Sequence, residues 1–293
     1  MEETARRAAL SDLYSFPGHL LWRSQARVTA AVAEVLPGRS DLHAYAALLA
    51  LADHEPRSQQ SLANLTGVSG TTMTTVAETL LRDGLVERIR NPADRRSYAL
   101  TRTLAGRDAV RRWEPDVHAL EERLTEPITR EEVARLHGHL LAIVGDQLPE
   151  ETPQVLRESL GFVVSRAHQR IHREFVAGLE PIGIEPRHFG TLRALQAAGP
   201  ITQGELADLL DVSPPYVVSL LDHLEERGLI ARERDPADRR AYRPVLLPAA
   251  EPVIAESSRV AATLHDSPGG QGSRSRADLV RLLQKFLGSP VRR

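Results

Sequence analysis

The residues best suited to chemistry in this chain are arginines, and they occur twice in the same short sequence. RNPADRRSY occupies residues 90–98, and RDPADRRAY occupies residues 234–242, which lie 144 positions further on (234 minus 90). The Asn/Asp-Pro pair in each is typical of a turn, so both clusters are predicted at hairpin tips. Arginine presents a planar fork of donors to phosphate oxygens, and a neighbouring aspartate can hold one guanidinium in place. This arrangement suits contact with the backbone and minor groove of duplex DNA.

The similarity between the two halves continues upstream of these clusters without a gap. Gly84-Leu85, for example, matches Gly228-Leu229 at the same offset. A period of this length indicates two copies of one domain, because a solenoid repeat is far shorter. We therefore expect a first domain over residues 1–148, a proline-containing linker over 149–153 and a second domain over 154–293.

Each copy also carries the pattern of a helix-turn-helix before its arginine cluster. In the first copy a short helix and a turn precede a helix over 70–82, for which Ser69 is a suitable N-cap. Apolar residues fall on one face of that second helix and polar residues on the other. Strands over 85–89 and 97–102 then form a hairpin, which completes a winged helix-turn-helix.

DNA contacts are expected from the polar face of the second helix in each copy and from the hairpin tips. The recognition-helix candidates are Ser69, Thr71, Thr72, Thr74 and Thr75 in the first copy, and Ser213, Tyr216 and Ser219 in the second. The wing candidates are Arg90, Asp94, Arg95, Arg96, Arg234, Asp238, Arg239 and Arg240. Short polar side chains on a helix can contact base edges in the major groove, while arginines contact phosphates.

Helices are predicted around both winged modules. They span residues 11–36, 42–53, 103–124 and 129–148 in the first copy, and 154–179, 187–198, 203–210, 214–227, 249–265 and 276–287 in the second, whose strands span 229–234 and 241–247. The predicted fold class is mainly α with small β-wings, as two winged helix-turn-helix domains.

Composition narrows the function classes. Net charge is −2, so binding to nucleic acid must depend on local patches and not on overall basicity. The chain has no cysteine, which excludes disulfides and thiol chemistry. It shows neither a signal-peptide run nor an apolar run of the roughly 20 residues that span a membrane. We expect a cytoplasmic protein without a membrane partner.

These motifs resemble the MarR family of bacterial transcription regulators. The resemblance is carried by Val-Ser at the turn, Gly-Leu before the strand and D/N-P-A-D-R-R-x-Y at the wing, and it covers residues 10–148 and 154–288. Proteins of this family typically act as homodimers of single-domain chains, so the resemblance implies that this fused chain is an intramolecular pseudo-dimer. It also implies a dimerisation-like helical region, and a pocket beside it where small, often aromatic, ligands weaken operator binding.

The chain departs from the family pattern in its recognition helices. Thr75 and Ser219 stand where the family often has a basic residue, and Pro214-Pro215 removes two backbone donors that could meet phosphate. The two copies are therefore not expected to read identical half-sites.

Aromatic and histidine residues admit two interpretations. Trp22, Tyr45, Trp113, His168 and Phe189 are candidates for the ligand pocket, and the alternative is that they pack in the core or, for His168, face solvent. His168 and His172 have a metal-compatible spacing on a helix, yet no cysteine or HExxH motif supports a site. We predict no metal, no cofactor and no enzyme activity, since no motif of catalysis or nucleotide binding is present.

The sequence thus predicts a DNA-binding transcription regulator. It would bind duplex DNA sequence-specifically at a pseudo-palindromic or asymmetric operator, as a repressor that a small effector releases. The alternative is a ligand-sensing or protein-interaction module with degenerate, non-specific DNA binding.

Overall fold

The structure is a computed structural model, and it describes residues 16–36, 42–52, 55–92, 96–210, 212–235, 241–264 and 273–288. The chain divides into two compact units, each built from two segments. One comprises Leu21–His168 and the segment from Arg281 onward, and the other comprises Gln169–Val280 and the segment up to Leu20. The domain boundary at 149–153 stays a prediction about the two sequence copies.

The described residues of the first half form helices and one β-hairpin. Its elements are α1 (Pro17–Val35), α2 (Leu42–Ala50), α3 (Gln59–Thr66), α4 (Gly70–Arg82), β1 (Val86–Arg90), β2 (Tyr98–Arg102), α5 (Leu104–Thr125), α6 (Arg130–Val144), α7 (Gln154–Glu158) and α8 (Leu160–Leu179). Strands β1 and β2 pair antiparallel, from Val86 opposite Arg102 to Arg90 opposite Tyr98.

The second copy repeats this order from α8, the counterpart of α1. The elements that follow α8 are α9 (Pro186–Ala198), α10 (Gln203–Leu210), α11 (Pro214–Glu226), β3 (Ile230–Arg234), β4 (Tyr242–Leu246), α12 (Ala250–Thr263) and α13 (Ser273–Phe286). Strands β3 and β4 pair in the same register as β1 and β2, with Arg234 opposite Tyr242. The predicted class, mainly α with small β-wings, is confirmed. No helix in the described ranges is long and apolar enough to cross a membrane.

Each winged module has its own hydrophobic core, built from the helix faces that the periodicity predicted. In the first copy Met73, Val76, Ala77 and Leu80 of α4 are all buried, and in the second Val217, Leu220, Leu221 and Leu224 of α11 are buried. Burying an aliphatic side chain contributes about 1.5–3 kcal/mol, so these stripes fix which face of each second helix remains outside.

One predicted helix is wrong. Residues 154–179 form two helices, α7 and α8, separated by Ser159 in an extended conformation. The Ser159 hydroxyl accepts the amide hydrogen of Phe162 and donates to the Glu121 carboxylate. Glu121 also accepts from the amides of Leu160 and Gly161, at 3.1 and 3.3 Å. A carboxylate can accept hydrogen bonds from the free amides at the start of a helix. Because Glu121 is far from Ser159 in sequence, local patterns did not predict the break between α7 and α8.

Other helix ends differ from the predictions by a few residues. The described helix α1 runs from Pro17 to Val35, and residues 11–15 of the predicted helix lie outside the described ranges. Helix α2 ends at Ala50, and α6 ends at Val144, where a short 3-10 helix follows.

An ion cluster holds the chain's last helix to α6. Glu132 lies in the first turn of α6, where its side chain accepts from the Thr129 amide in a capping box. It also accepts from Lys285 Nζ at 2.5 Å and from Arg281 at 3.1 Å. The hydrogen bond from Lys285, the largest cause, together with that from Thr129, lowers the pKa of Glu132 to about 2. The end of α13 thereby joins the unit formed by the first copy.

Candidate nucleic-acid interface

The turn of the first helix-turn-helix is set by one glycine and one serine. Gly67 adopts φ +73°, a left-handed conformation that suits glycine, and its amide donates to Ala63 O. Ser69 then caps α4 as predicted, since its hydroxyl accepts from the Thr72 amide at 3.0 Å. The cap fixes where α4 starts and therefore which side chains it presents outward.

The outer face of α4 is a set of hydroxyl groups. Thr71, Thr74 and Thr75 are exposed, and Thr72 is half-buried. Thr74 Oγ1 donates to Gly70 O at 3.0 Å, and Thr75 Oγ1 donates to Thr71 O at 3.4 Å. A hydroxyl that donates to its own helix keeps lone pairs, so this face can accept hydrogen bonds from the amino groups of bases.

The first wing presents arginines around one exposed tyrosine. Arg90 lies opposite Tyr98 in the hairpin, with its guanidinium 4.8 Å from the ring centre, and Arg88 lies 5.7 Å from the same ring. Arg96 is also exposed. The predicted contacts Asp94 and Arg95 lie outside the described residues. Cation–π stacking on an exposed ring holds a guanidinium at the surface without neutralising its charge.

The second recognition helix begins differently. Ser213 is the N-cap of α11 by position, yet its side chain makes no capping hydrogen bond, and the Tyr216 amide donates to the Ser213 carbonyl oxygen at 3.0 Å instead. Tyr216 and Ser219 are exposed as predicted. A hydrogen bond between Tyr216 and Arg187 is the main cause that raises the pKa of the Arg187 guanidinium.

The second wing keeps the stacked arginine but adds ion pairs. Arg234 lies 5.7 Å from the ring centre of Tyr242. On the same hairpin, Arg243 pairs with the buried carboxylate of Asp235 at 2.7 Å. The predicted contacts Asp238, Arg239 and Arg240 lie outside the described residues.

The sequence prediction missed a further arginine on the first strand of the second wing. Arg232 bonds to Asp222 at 2.7 Å and to Glu225 at 2.9 Å, two carboxylates on α11. The repeat contained a signal, because Arg88 stands at the matching position of the first copy. Within each copy, the recognition helix packs against the first strand of its wing, so both sets of candidates belong to one module.

Comparison with known proteins decides the family. A sequence model of the MarR family matches residues 38–97 and again residues 182–241, two matches 144 residues apart (182 minus 38), like the repeat itself. The chain belongs to the MarR family. Each match runs from before the helix that precedes the helix-turn-helix to the wing, so the chain is a tandem fusion of two MarR-type modules. MarR-family proteins are DNA-binding transcription regulators.

Several solved MarR-type structures are similar to a little under half of this chain. The transcriptional repressor CouR, bound to a 23-mer DNA duplex, is 31% identical, with 45% of this chain and 95% of that chain covered and a TM-score of 0.43. A mutant of E. coli MarR complexed with operator DNA is 25% identical, covering 43% and 91% with a TM-score of 0.40. Bordetella bronchiseptica BpsR, whose DNA binding is regulated by 6-hydroxynicotinic acid, is 26% identical, covering 43% and 97% with a TM-score of 0.40.

The residues predicted for a MarR-type ligand pocket have mixed environments. Trp22 is 42% exposed, so its interpretation as a core anchor is wrong. Tyr45 is buried, and burial raises the pKa of its phenol. Trp113 is half-buried against the first core. Phe189 lies in the second core, with its ring centre 5.5 Å from that of Phe175. His168 is half-buried. Whether any of them binds a ligand stays a prediction.

Proposed function

We propose that this MarR-family chain binds duplex DNA sequence-specifically through both of its winged helices, and that it represses transcription until a small ligand releases it. The observation that carries the proposal is the duplicated winged helix-turn-helix, with an arginine stacked on an exposed tyrosine at both wings, Arg90 on Tyr98 and Arg234 on Tyr242. A homodimer supplies these parts from two chains, whereas here one chain supplies both.

The side chains on each module match the parts of a DNA duplex. A recognition helix fits the major groove, where the Thr71, Thr74 and Thr75 hydroxyls can meet base edges. The wing arginines then reach the phosphates or the minor groove. We propose that each of the two recognition helices enters a major groove of the operator.

The experiment starts from genomic DNA, because the operator is unidentified. The purified full chain is used to capture genomic fragments, and a gel shift then measures affinity for an enriched fragment against random DNA of the same length. Arg90→Ala and Arg234→Ala should each weaken binding, and each should reduce the slope of log affinity against log salt by about 0.9 for each phosphate that the arginine had neutralised. The absence of any enriched fragment would contradict the proposal.

Release by a ligand is a separate part of the proposal. The half-buried Trp113, which packs against the first core, supplies aromatic surface of the kind that a small aromatic ligand needs. A thermal-shift screen of aromatic carboxylates and phenols should find compounds that stabilise the chain and also weaken the gel shift. Compounds that stabilise the chain without changing DNA affinity would argue against release.

A second candidate is a sensing or interaction module that binds DNA only non-specifically. The recognition helix of the second copy favours it, because its exposed side carries Asp222, Glu225 and Glu226 and no lysine or arginine before Arg227. This candidate predicts equal affinity for captured and random fragments, which the same gel shift measures.

A further inference from the structure

We infer that the two winged helices contribute unequally to DNA binding. The first supplies most of the affinity. The second binds DNA more weakly, because two of its own carboxylates form ion pairs with an arginine that would otherwise bind a phosphate. This inference rests on the proposed function, since it assumes that the chain binds DNA. It concerns Arg88 and its counterpart Arg232, together with Asp222 and Glu225.

The two modules differ in net charge. Residues 59–102, from α3 to the end of β2, contain six arginines and four acidic residues. The matching residues 203–246 contain six arginines and nine acidic residues. The first module is therefore net +2 and the second net −3, although the repeat gives them the same plan. Because DNA presents a dense row of phosphates, this difference opposes approach of the second module.

Arg232 is already surrounded by acceptors from its own module. Its guanidinium bonds to Asp222 at 2.7 Å, to Glu225 at 2.9 Å and to the Val218 carbonyl at 3.2 Å. Its backbone amide also donates to Glu225 at 3.2 Å. The side chain is only 18% exposed. A phosphate would have to displace the two carboxylates that already bind Nη1 of this guanidinium.

The first copy lacks this arrangement. Arg88 is exposed and stacks on Tyr98, and Leu81 stands where the second copy has Glu225. Glu78, the counterpart of Asp222, is exposed on α4. Within the ranges that the structure describes, no carboxylate contacts Arg88, so its guanidinium is available to a phosphate.

The hairpins show the same difference at a second position. In the second wing Asp235 is buried and neutralises Arg243. In the first wing the corresponding residues are Asn91, whose side-chain amide donates to Ser97 at 3.0 Å, and Ala99. Two arginines of the second wing, Arg232 and Arg243, therefore serve internal ion pairs, whereas Arg88 of the first wing is exposed.

The recognition faces then differ in chemistry as well as in charge. The first presents threonine hydroxyls, whereas Tyr216 and Val218 of the second are 39% and 41% exposed. We expect an operator with one half-site that supplies most of the affinity and a second that adds little.

Matched variants at Arg88 and Arg232 test the inference on a captured operator fragment. Arg88→Ala should weaken binding about fivefold to tenfold and reduce the salt slope by about 0.9, as expected when one phosphate is no longer neutralised. Arg232→Ala should change affinity by less than about twofold. Equal weakening and equal slope changes in the two variants would overturn the inference.

A gain-of-function variant gives an independent measurement. Asp222→Asn with Glu225→Gln keeps side-chain shape, removes two negative charges and releases Arg232, so we expect about fivefold tighter binding and a steeper salt slope. Glu78→Gln with Glu87→Gln is the matched control in the first copy, because it also removes two negative charges but releases no arginine, and it should tighten binding less. An unchanged affinity in the double variant would count against the restraint.

Failure of the proposed function and failure of the unequal division can be told apart. If the wild-type chain enriches no genomic fragment, the proposed function fails. If it binds a discrete operator but the Arg88 and Arg232 variants behave alike, only the unequal division fails. Should the double variant not fold, as circular dichroism would show, the comparison of Arg88→Ala with Arg232→Ala decides by itself.

Discussion

The guanidinium of Arg90 lies 4.8 Å from the ring centre of Tyr98, directly across the first wing. Both residues belong to the repeated motif, and Arg234 and Tyr242 take the same relationship in the second wing. The face of an aromatic ring attracts a cation without removing its charge. The tyrosine therefore holds the arginine at the surface of the hairpin, where it can bind an anion.

We expect Tyr98→Phe to retain operator affinity and Tyr98→Ala to reduce it, because only the second change removes the ring that supports Arg90. The reduction should be about twofold to fivefold, in line with the roughly 0.5–1 kcal/mol of an exposed cation–π contact. Gel-shift titration measures it. The salt slope should stay the same in Tyr98→Ala, whereas Arg90→Ala should lower it, and the reverse pattern would show that the tyrosine does not act through the arginine.

The two N-cap serines should respond differently to the same substitution. Ser69→Ala removes the hydrogen bond to the Thr72 amide and should cost about 1 kcal/mol of stability. Ser213→Ala should cost little, because the Ser213 side chain makes no capping bond beside the two prolines. Thermal denaturation compares the variants, and hydrogen exchange at the Thr72 amide provides the local measurement. Equal destabilisation at the two sites would contradict the assignment.

Gly106 marks a close approach between α5 and the residue that precedes β1. A Cβ at this position would lie 2.1 Å from the Leu85 carbonyl oxygen, so Gly106→Ala should lower the free energy of unfolding by about 1–3 kcal/mol. Gly138, in α6, has open space around it, and Gly138→Ala should be neutral or stabilise by up to about 1 kcal/mol. Urea denaturation measures both. The second copy has Ala250 at the position of Gly106, and helix α12 begins at Ala250.

The His188 ring stacks on His223 of α11, with centroids 4.2 Å apart. Burial, followed by the positive charges of His223, Arg187 and Arg227, lowers the pKa of His188 to about 4, against the opposing effect of Glu185. The folded state therefore binds this proton less readily than the unfolded chain does. Above the usual histidine pKa of about 6.5, His188 is neutral in both states and its contribution to stability is fully present. As pH drops from about 6.5 to about 4, the unfolded chain binds the proton first, so stability should fall.

Thermal denaturation between pH 7 and pH 4 checks this, with His188→Gln expected to flatten the decline. His118→Gln is the control for the loss of a histidine, because His118 is exposed on α5. If NMR titration showed His188 protonating near pH 6.5 in the folded chain, the prediction would be wrong.

Local patterns along the chain were enough to predict the duplication, the family plan and the inward faces of the second helices. These features follow from short-range rules: apolar spacing on α4 and α11, turn chemistry at Asn91-Pro92, and a capping serine at position 69. The exposed wing arginines Arg90 and Arg234 were found for the same reason, because a hairpin tip is defined by neighbouring residues.

The ion pairs and charged hydrogen bonds between elements, by contrast, could be identified only from the tertiary structure. Glu121 of α5 accepts hydrogen bonds at the start of α8, from Ser159 onward, 38 residues later, and Lys285 reaches back to Glu132 across 153 positions. Arg232 and Arg88 stand at the same position of the repeat. The two carboxylates that bind Arg232 lie on α11, and sequence periodicity shows only that the outer face of this helix is polar. Such pairs depend on the packing of separate elements, and an electrostatic contact between them leaves no periodic signal along the chain.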